Sequence, residues 1–184
     1  MRVHRSFAFV DVSGFTALTD LEGDERAVDV LTAVRALLRD ICSRRGVRIA
    51  KWLGDGAMLV AVEPTPLLAT CLEVARAVGV ARLPVPLRCG VSTGEVILLE
   101  GDDYIGNTVN LAARLCDLAE GGAVLGTVAI AEHLPRWGTV LSIEDIHVRG
   151  IGDAVPVARL GFTPLTPPVR PDPICGIPLS RDVA

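Results

Sequence analysis

The chain has 184 residues, enough for one domain with a sizeable core and a short appendage. Half of them are apolar and 22% are charged, which excludes a disordered chain. Aromatic residues make up only 4%, the net charge is −4 and the basic residues form no long run, so the stacking platforms and electrostatic footprint of a nucleic-acid binder are missing and a small-molecule ligand is expected.

The five cysteines, Cys42, Cys71, Cys89, Cys116 and Cys175, lie far apart, with no CxxC pair and no histidine at zinc-ligand spacing. They read as reduced thiols of a cytoplasmic protein. No apolar stretch reaches the roughly 18 residues needed to span a bilayer, and Asp11 breaks the first apolar run too early for a signal peptide. A soluble protein with no membrane partner is the expectation.

Residues 6–12 predict a strand, with Phe7, Phe9 and Asp11 on one face by the two-residue period. A carboxylate at the end of an apolar strand is costly unless a hydrogen-bonding turn, a cation or a metal compensates it, and Ser13, Gly14, Phe15 and Thr16 follow at once. From Asp24 to Arg45, Ala27, Leu31, Val34, Leu38 and Ile41 recur at helical spacing, and Gly46 supplies a stop. The stretch "VRIAKWLGDGAMLVAV" predicts two strands around Asp55-Gly56, and the period puts Val47, Ile49, Lys51 and Leu53 on one face. Lys51 on an apolar face either runs its stem out to solvent or has a partner.

A second helix is predicted over 66–81, followed by a pair of strands in "LRCGVSTGEVILLE", and a third helix over 107–119, stopped by Gly121-Gly122. On that third helix Asn110, Arg114 and Asp117 form the only polar stripe, which reads equally as a cleft-facing edge or a solvated one. Apolar residues fill the remainder, so most of the helix is expected to be buried. The stretch "EDIHVRGIGDAVPVARL" predicts a terminal hairpin, and the proline-rich residues 163–184 a linker or tail. Hairpins alternating with helices indicate an α+β fold, with helices over one face of a mainly antiparallel sheet.

"GVSTG", Gly90 to Gly94, matches the GxSxG pattern of a serine nucleophile elbow. Such an elbow needs a strand running directly into a helix, whereas strand-like "EVILLE" follows here. No histidine is placed to serve it, so a serine hydrolase is set aside.

"FVDVSGFT", "KWLGDG" and "DDYIGNTVNLAARL", in this order and at these separations, resemble the class III nucleotidyl cyclase catalytic domain over about residues 6–162. The resemblance implies a ferredoxin-like sheet in a catalytic domain spanning residues 1–162. It implies two divalent cations, Mg²⁺ or Mn²⁺, held by Asp11, Asp55 and the backbone of Val12, with Gly14, Phe15 and Thr16 around the triphosphate. The purine-selecting pair maps onto Lys51 and Asp103, and a Lys donor with a carboxylate acceptor matches N1 and the N6 amino group of adenine, where guanine reverses both. ATP is the substrate this implies, with GTP selection requiring other residues at 51 and 103.

Asn110 and Arg114 match the pair that orients the ribose and neutralises charge at the α-phosphate, and Arg149 is a further candidate phosphate contact. The reaction implied is closure of ATP to 3′,5′-cyclic AMP with release of pyrophosphate. The resemblance also implies a head-to-tail homodimer in which each site draws its metal residues from one chain and its base-selecting and transition-state residues from the other. A catalytically silent, nucleotide-binding regulatory module is the alternative; loss of a metal aspartate or of Arg114 would be its signature, and neither is lost.

Overall fold

A computed structural model describes residues 1–100, 103–148 and 154–163. Its first strand, β1 (Arg2–Val12), leads into two helices, α1 (Phe15–Glu22) and α2 (Asp24–Arg45), and then into the hairpin β2 (Arg48–Leu53) and β3 (Gly56–Ala61). Helix α3 (Pro64–Val80), strand β4 (Leu87–Leu98), the short β5 (Tyr104–Ile105) and helix α4 (Asn107–Leu118) follow. Strand β6 (Val124–Thr127), the single turn α5 (Val128–Ala131) and the strands β7 (Gly138–His147) and β8 (Ala154–Phe162) complete it.

The strands form one sheet in the order β2-β3-β1-β4-β6-β8-β7, with β5 paired to β4. Every described pairing is antiparallel except β4 with β6. The part β2-β3-β1-β4, with α2 and α3 as its two crossovers, is the ferredoxin-like arrangement expected.

Strand alternation divides the core between two faces. Ala8, Val10 and Val12 point to the side covered by α1, α2 and α3, where Leu38, Ile41, Leu67, Leu68 and Leu72 are buried against them. Phe7 and Phe9 point the other way, where Phe7 and Val96 bury Ala112 of α4. Helices therefore cover both faces, not one. Phe7 meets Tyr104 of β5 edge to face, with ring centroids 5.1 Å apart.

Two further expectations change. "LRCGVSTGEVILLE" forms one continuous strand, β4, because Gly94 pairs with Arg5 inside the β1–β4 ladder and makes no turn. Helix α4 buries only Ala112, Leu115 and Cys116, whereas Leu118 is 48% exposed. Helix α2 has the predicted bounds: Asp24 and Glu25 favour its positive end, Arg44 and Arg45 its negative end, and Gly46 takes a left-handed φ of 66° to close it. Residues 164–184, including Cys175, and Arg149 in the terminal hairpin lie outside the described residues.

The β7–β8 hairpin is fastened to the helix layer by a stack of four side chains. Trp137 and Phe162 lie nearly parallel with centroids 5.4 Å apart, Arg45 of α2 covers Trp137, and Arg76 of α3 covers Phe162.

Candidate active site

Asp11 is the last outward-facing residue of β1 but one from its end, on the Phe7 face as its period requires. Directly opposite on β4 stands Arg88, whose Nη2 and Nε donate to Asp11 Oδ2 at 2.6 and 2.9 Å. Arg88 Nη1 also donates to the carbonyl of Asp117 at 3.1 Å, tying the C-terminal end of α4 to the end of β1. Asp11 raises the pKa of the guanidinium above its ordinary value. Arg88 is thus a cation that compensates the strand-end carboxylate. Sequence reasoning missed it because the β1–β4 register alone brings position 88 to position 11; an arginine two residues before the glycine of the decoy motif was the only trace.

Asp55 occupies the second position of a two-residue turn, Gly54-Asp55, between the paired Leu53 and Gly56, so the turn sits one residue earlier than Asp55-Gly56 suggests. Gly54 supplies the left-handed φ of 61°. At Gly56 a Cβ would lie 2.8 Å from the carbonyl oxygen of Val10 and 3.0 Å from Asp11 Oδ1. Only glycine lets the hairpin tip settle against the end of β1. The two carboxylates are close enough to feel each other: the pKa of Asp55 is raised, first by burial and then by the charge of Asp11, against the opposing pull of its own backbone N–H and of Arg88.

Just past Asp11, Gly14 adopts φ 78° and opens α1. The first N–H groups of that helix, at Phe15 and Thr16, have no acceptor four residues earlier in the helix. Phe15 leans on the core, and the buried hydroxyl of Ser13 has no hydrogen-bond partner. The side chain of Val12 is buried, leaving its backbone at the strand end.

Lys51 departs from the expected face. The β2–β3 register slips between Ile49 and Lys51, so Ala50 is a bulge and the alternation reverses after it. Ile49 and Trp52 both pack on the helix-covered core, and Lys51 turns to the α4 side. There its Nζ meets Asp103 Oδ1 at 2.7 Å, across 52 residues of chain. Lys51 lowers the pKa of Asp103, and both side chains remain about half exposed, 48% and 51%. Nearby, Arg48 Nη2 donates to the Tyr104 hydroxyl at 2.9 Å.

Asn110 and Arg114 lie on the exposed stripe of α4, where Arg114 approaches Asp117 at 3.6 Å. Among the described residues no hydrogen bond or ion pair links Lys51, Asp103, Asn110 or Arg114 to Asp11 or Asp55. A cleft of about 790 Å³ at the opposite end of β1, lined by His4, Arg5, Glu63 and His133, contains none of these residues.

Residues 4–156 match the family model described as "Adenylate and Guanylate cyclase catalytic domain". The chain belongs to that family. A pH-sensitive adenylate cyclase of Mycobacterium tuberculosis is 35% identical over 127 residues, 69% of this chain and 32% of that protein. An adenylate cyclase of Streptomyces coelicolor is 34% identical over 128 residues, 70% and 33% of the two chains. This chain therefore spans about a third of the length of these curated relatives. Among solved structures, the adenylyl cyclase CyaB of P. aeruginosa superposes with a TM-score of 0.79 at 23% identity, covering 89% of this chain and 96% of that one. The guanylyl cyclase Cya2 gives 0.74 at 21%, covering 90% and 95%. The fold is that of a cyclase catalytic domain, and it serves both kinds of enzyme.

Cyclase catalytic domains usually work with divalent metals, and the Asp11–Asp55 end suits them. It offers two hard carboxylate donors in a cradle that a single Cβ at Gly56 would fill, one of them held above its ordinary pKa by burial and by the charge of the other. Among the described residues no cluster of three or more His, Cys, Asp or Glu side chains forms a metal cage, so remaining ligands would come from backbone, water and substrate phosphate. No described helix is long and apolar enough to cross a membrane.

Proposed function

We propose that the chain is an adenylate cyclase that closes ATP to 3′,5′-cyclic AMP and pyrophosphate. The observation that carries this is the Lys51–Asp103 contact at 2.7 Å: a donor and an acceptor side by side on a half-exposed edge, the complement of N1 and the N6 amino group of adenine. Guanine would set donor against donor and acceptor against acceptor, leaving both groups unpaired. The adenylate cyclases among the relatives support the same choice of base.

Asp11, Asp55 and the backbone carbonyl of Val12 would hold two divalent cations, whose contribution when bound is to neutralise the triphosphate and favour ionisation of the ribose 3′-hydroxyl. The free N–H groups of Phe15 and Thr16, reached through the left-handed Gly14, are donors for phosphate oxygens beside that site. Asn110 orients the ribose, and Arg114 meets the charge that grows at the α-phosphate as the 3′-oxygen attacks in line and the bond to pyrophosphate breaks. Arg149, outside the described residues, is retained as a candidate phosphate contact.

A head-to-tail homodimer completes the site in this reading. One observation supports it: Ile97, Ile105 and Leu118, on α4 and the strands beside it, are apolar and exposed, as is Leu99 just past β4. The four described cysteines are free, and those with a resolved shift are pushed upward, Cys42 to about 12, as inert thiols of a cytoplasmic protein would be.

The test is cyclic nucleotide formation from ATP or GTP by the purified chain with Mn²⁺, with Mg²⁺ and with chelator. Metal-dependent cyclic AMP with little cyclic GMP is expected. No product from folded, dimeric protein would favour the silent regulatory module, and equal use of GTP would overturn the base assignment.

A further inference from the structure

The hairpin tip that carries Asp55 belongs to β2, an edge strand with β3 as its only described neighbour, and Gly54 and Leu53 at that tip are exposed. Such a tip frays unless something outside the ladder holds it. One side chain does. Arg35, on α2, donates from Nη2 to the carbonyl of Gly54 at 2.6 Å, bridging 19 residues.

The guanidinium reaches this position by lying over the ring of Trp52, 5.0 Å from its centroid. Arg39, one helical turn further along α2, lies over the same ring at the same 5.0 Å but makes no bond to the turn. Arg35 Nε is buried with no hydrogen-bond partner. A long basic side chain ordinarily extends its head into water, and burying an unpaired donor costs stability. Arg35 does so while directed at the residue next to Asp55. The charges that act on the Asp55 carboxyl are those of Asp11 and Arg88, so the hold of Arg35 is on the backbone. The Ala50 bulge makes this possible, because it turns Trp52 towards α2 as it turns Lys51 away.

We propose that Arg35, seated on Trp52, is a positioning residue that fixes the Gly54-Asp55 turn so that the Asp55 carboxylate is presented to a divalent cation. This rests on the reading of Asp55 as a metal ligand. It assigns Arg35 and Arg39 different duties although they share one ring.

The test is Mn²⁺ binding to the nucleotide-free full chain, followed by the electron paramagnetic resonance of free Mn²⁺, with thermal melting alongside. Arg35→Met should weaken Mn²⁺ binding about tenfold, as loss of a group supporting a metal ligand does. Arg35→Lys should recover part of the loss, and Arg39→Met should bind as wild type. Wild-type Mn²⁺ affinity in Arg35→Met, or an equal loss in Arg39→Met, would overturn the proposal; the second result would assign the effect to packing on Trp52. Should Arg35→Met not fold, Arg35→Lys decides: an affinity below wild type supports the proposal and an unchanged one overturns it. A wild-type chain that binds Mn²⁺ no better than Asp55→Asn would remove the metal reading itself, a failure distinct from the loss of Arg35's role alone.

Discussion

Lys51 and Asp103 satisfy each other, so under the proposed function a base that replaces each one's partner must offer both an acceptor and a donor. Lys51→Ala removes the proposed donor to N1 and leaves Asp103 without its cation. Steady-state kinetics should then show kcat/KM for ATP falling by about tenfold to a hundredfold, the usual scale for a charged hydrogen bond, with preference over GTP narrowing. Asp55 predicts a pH effect of defined sign. Its folded pKa lies above the ordinary 3.8, so the folded chain holds the extra proton and stability contributed here falls as pH rises from that value through the raised one. In metal-free buffer, urea unfolding should find Asp55→Asn more stable than wild type near neutral pH, the difference closing towards pH 4. Asp103 runs the opposite way: its lowered pKa gives stability above the ordinary carboxylate range that is lost as pH falls through the lowered value, and exposure to solvent keeps the contribution small. Asp11, Asp55 and Lys51 stood out as candidates in the sequence because each stands in a short string with a chemical reason for its neighbours, and Asp103 through the resemblance. Arg88 and Arg35 did not, since one depends on cross-strand register and the other on how a helix sits over a hairpin.

At the scale of elements, the discarded GxSxG match has a structural explanation. Gly90, Ser92 and Gly94 face α4 from β4, where a Cβ on Gly90 would lie 2.1 Å from the amide nitrogen of Cys116 and one on Gly94 would lie 2.7 Å from Thr108 Oγ1. The glycines make a floor flat enough for the helix bearing Asn110 and Arg114 to lie directly on the sheet. Gly90→Ala should cost about 3 kcal/mol or more, the upper end for overpacking, because the obstructing atoms are backbone; denaturant unfolding would measure it. Helix α2 was readable to the residue, since its apolar period, acidic start, basic end and closing glycine agree. Helix α1 was not foreseen: its eight residues are too few to show a period, and "SGFT" read as a turn. The unbroken course of β4 and the bulge at Ala50 also escaped, because a glycine in a strand and a single slipped residue leave the same local pattern as a turn or a regular run.

For the whole molecule, the proposed shared site leads to a complementation experiment. Asp11→Ala and Arg114→Ala should each abolish cyclic AMP formation, yet mixing the two inactive proteins should restore part of it, because one site of the mixed dimer keeps both intact halves. No recovery, with subunit exchange shown independently, would count against a shared site. The ferredoxin-like core followed from the sequence through the resemblance. The placement of helices on both faces did not, because the face of the sheet on which a helix packs depends on the course of the chain between them, which the period of α4 does not reveal.

The bond between Arg88 and Asp11 gives this end of the sheet its own resident counter-charge. A carboxylate so balanced has no need of an ion to reach its place, and the strand end is built before anything is loaded onto it.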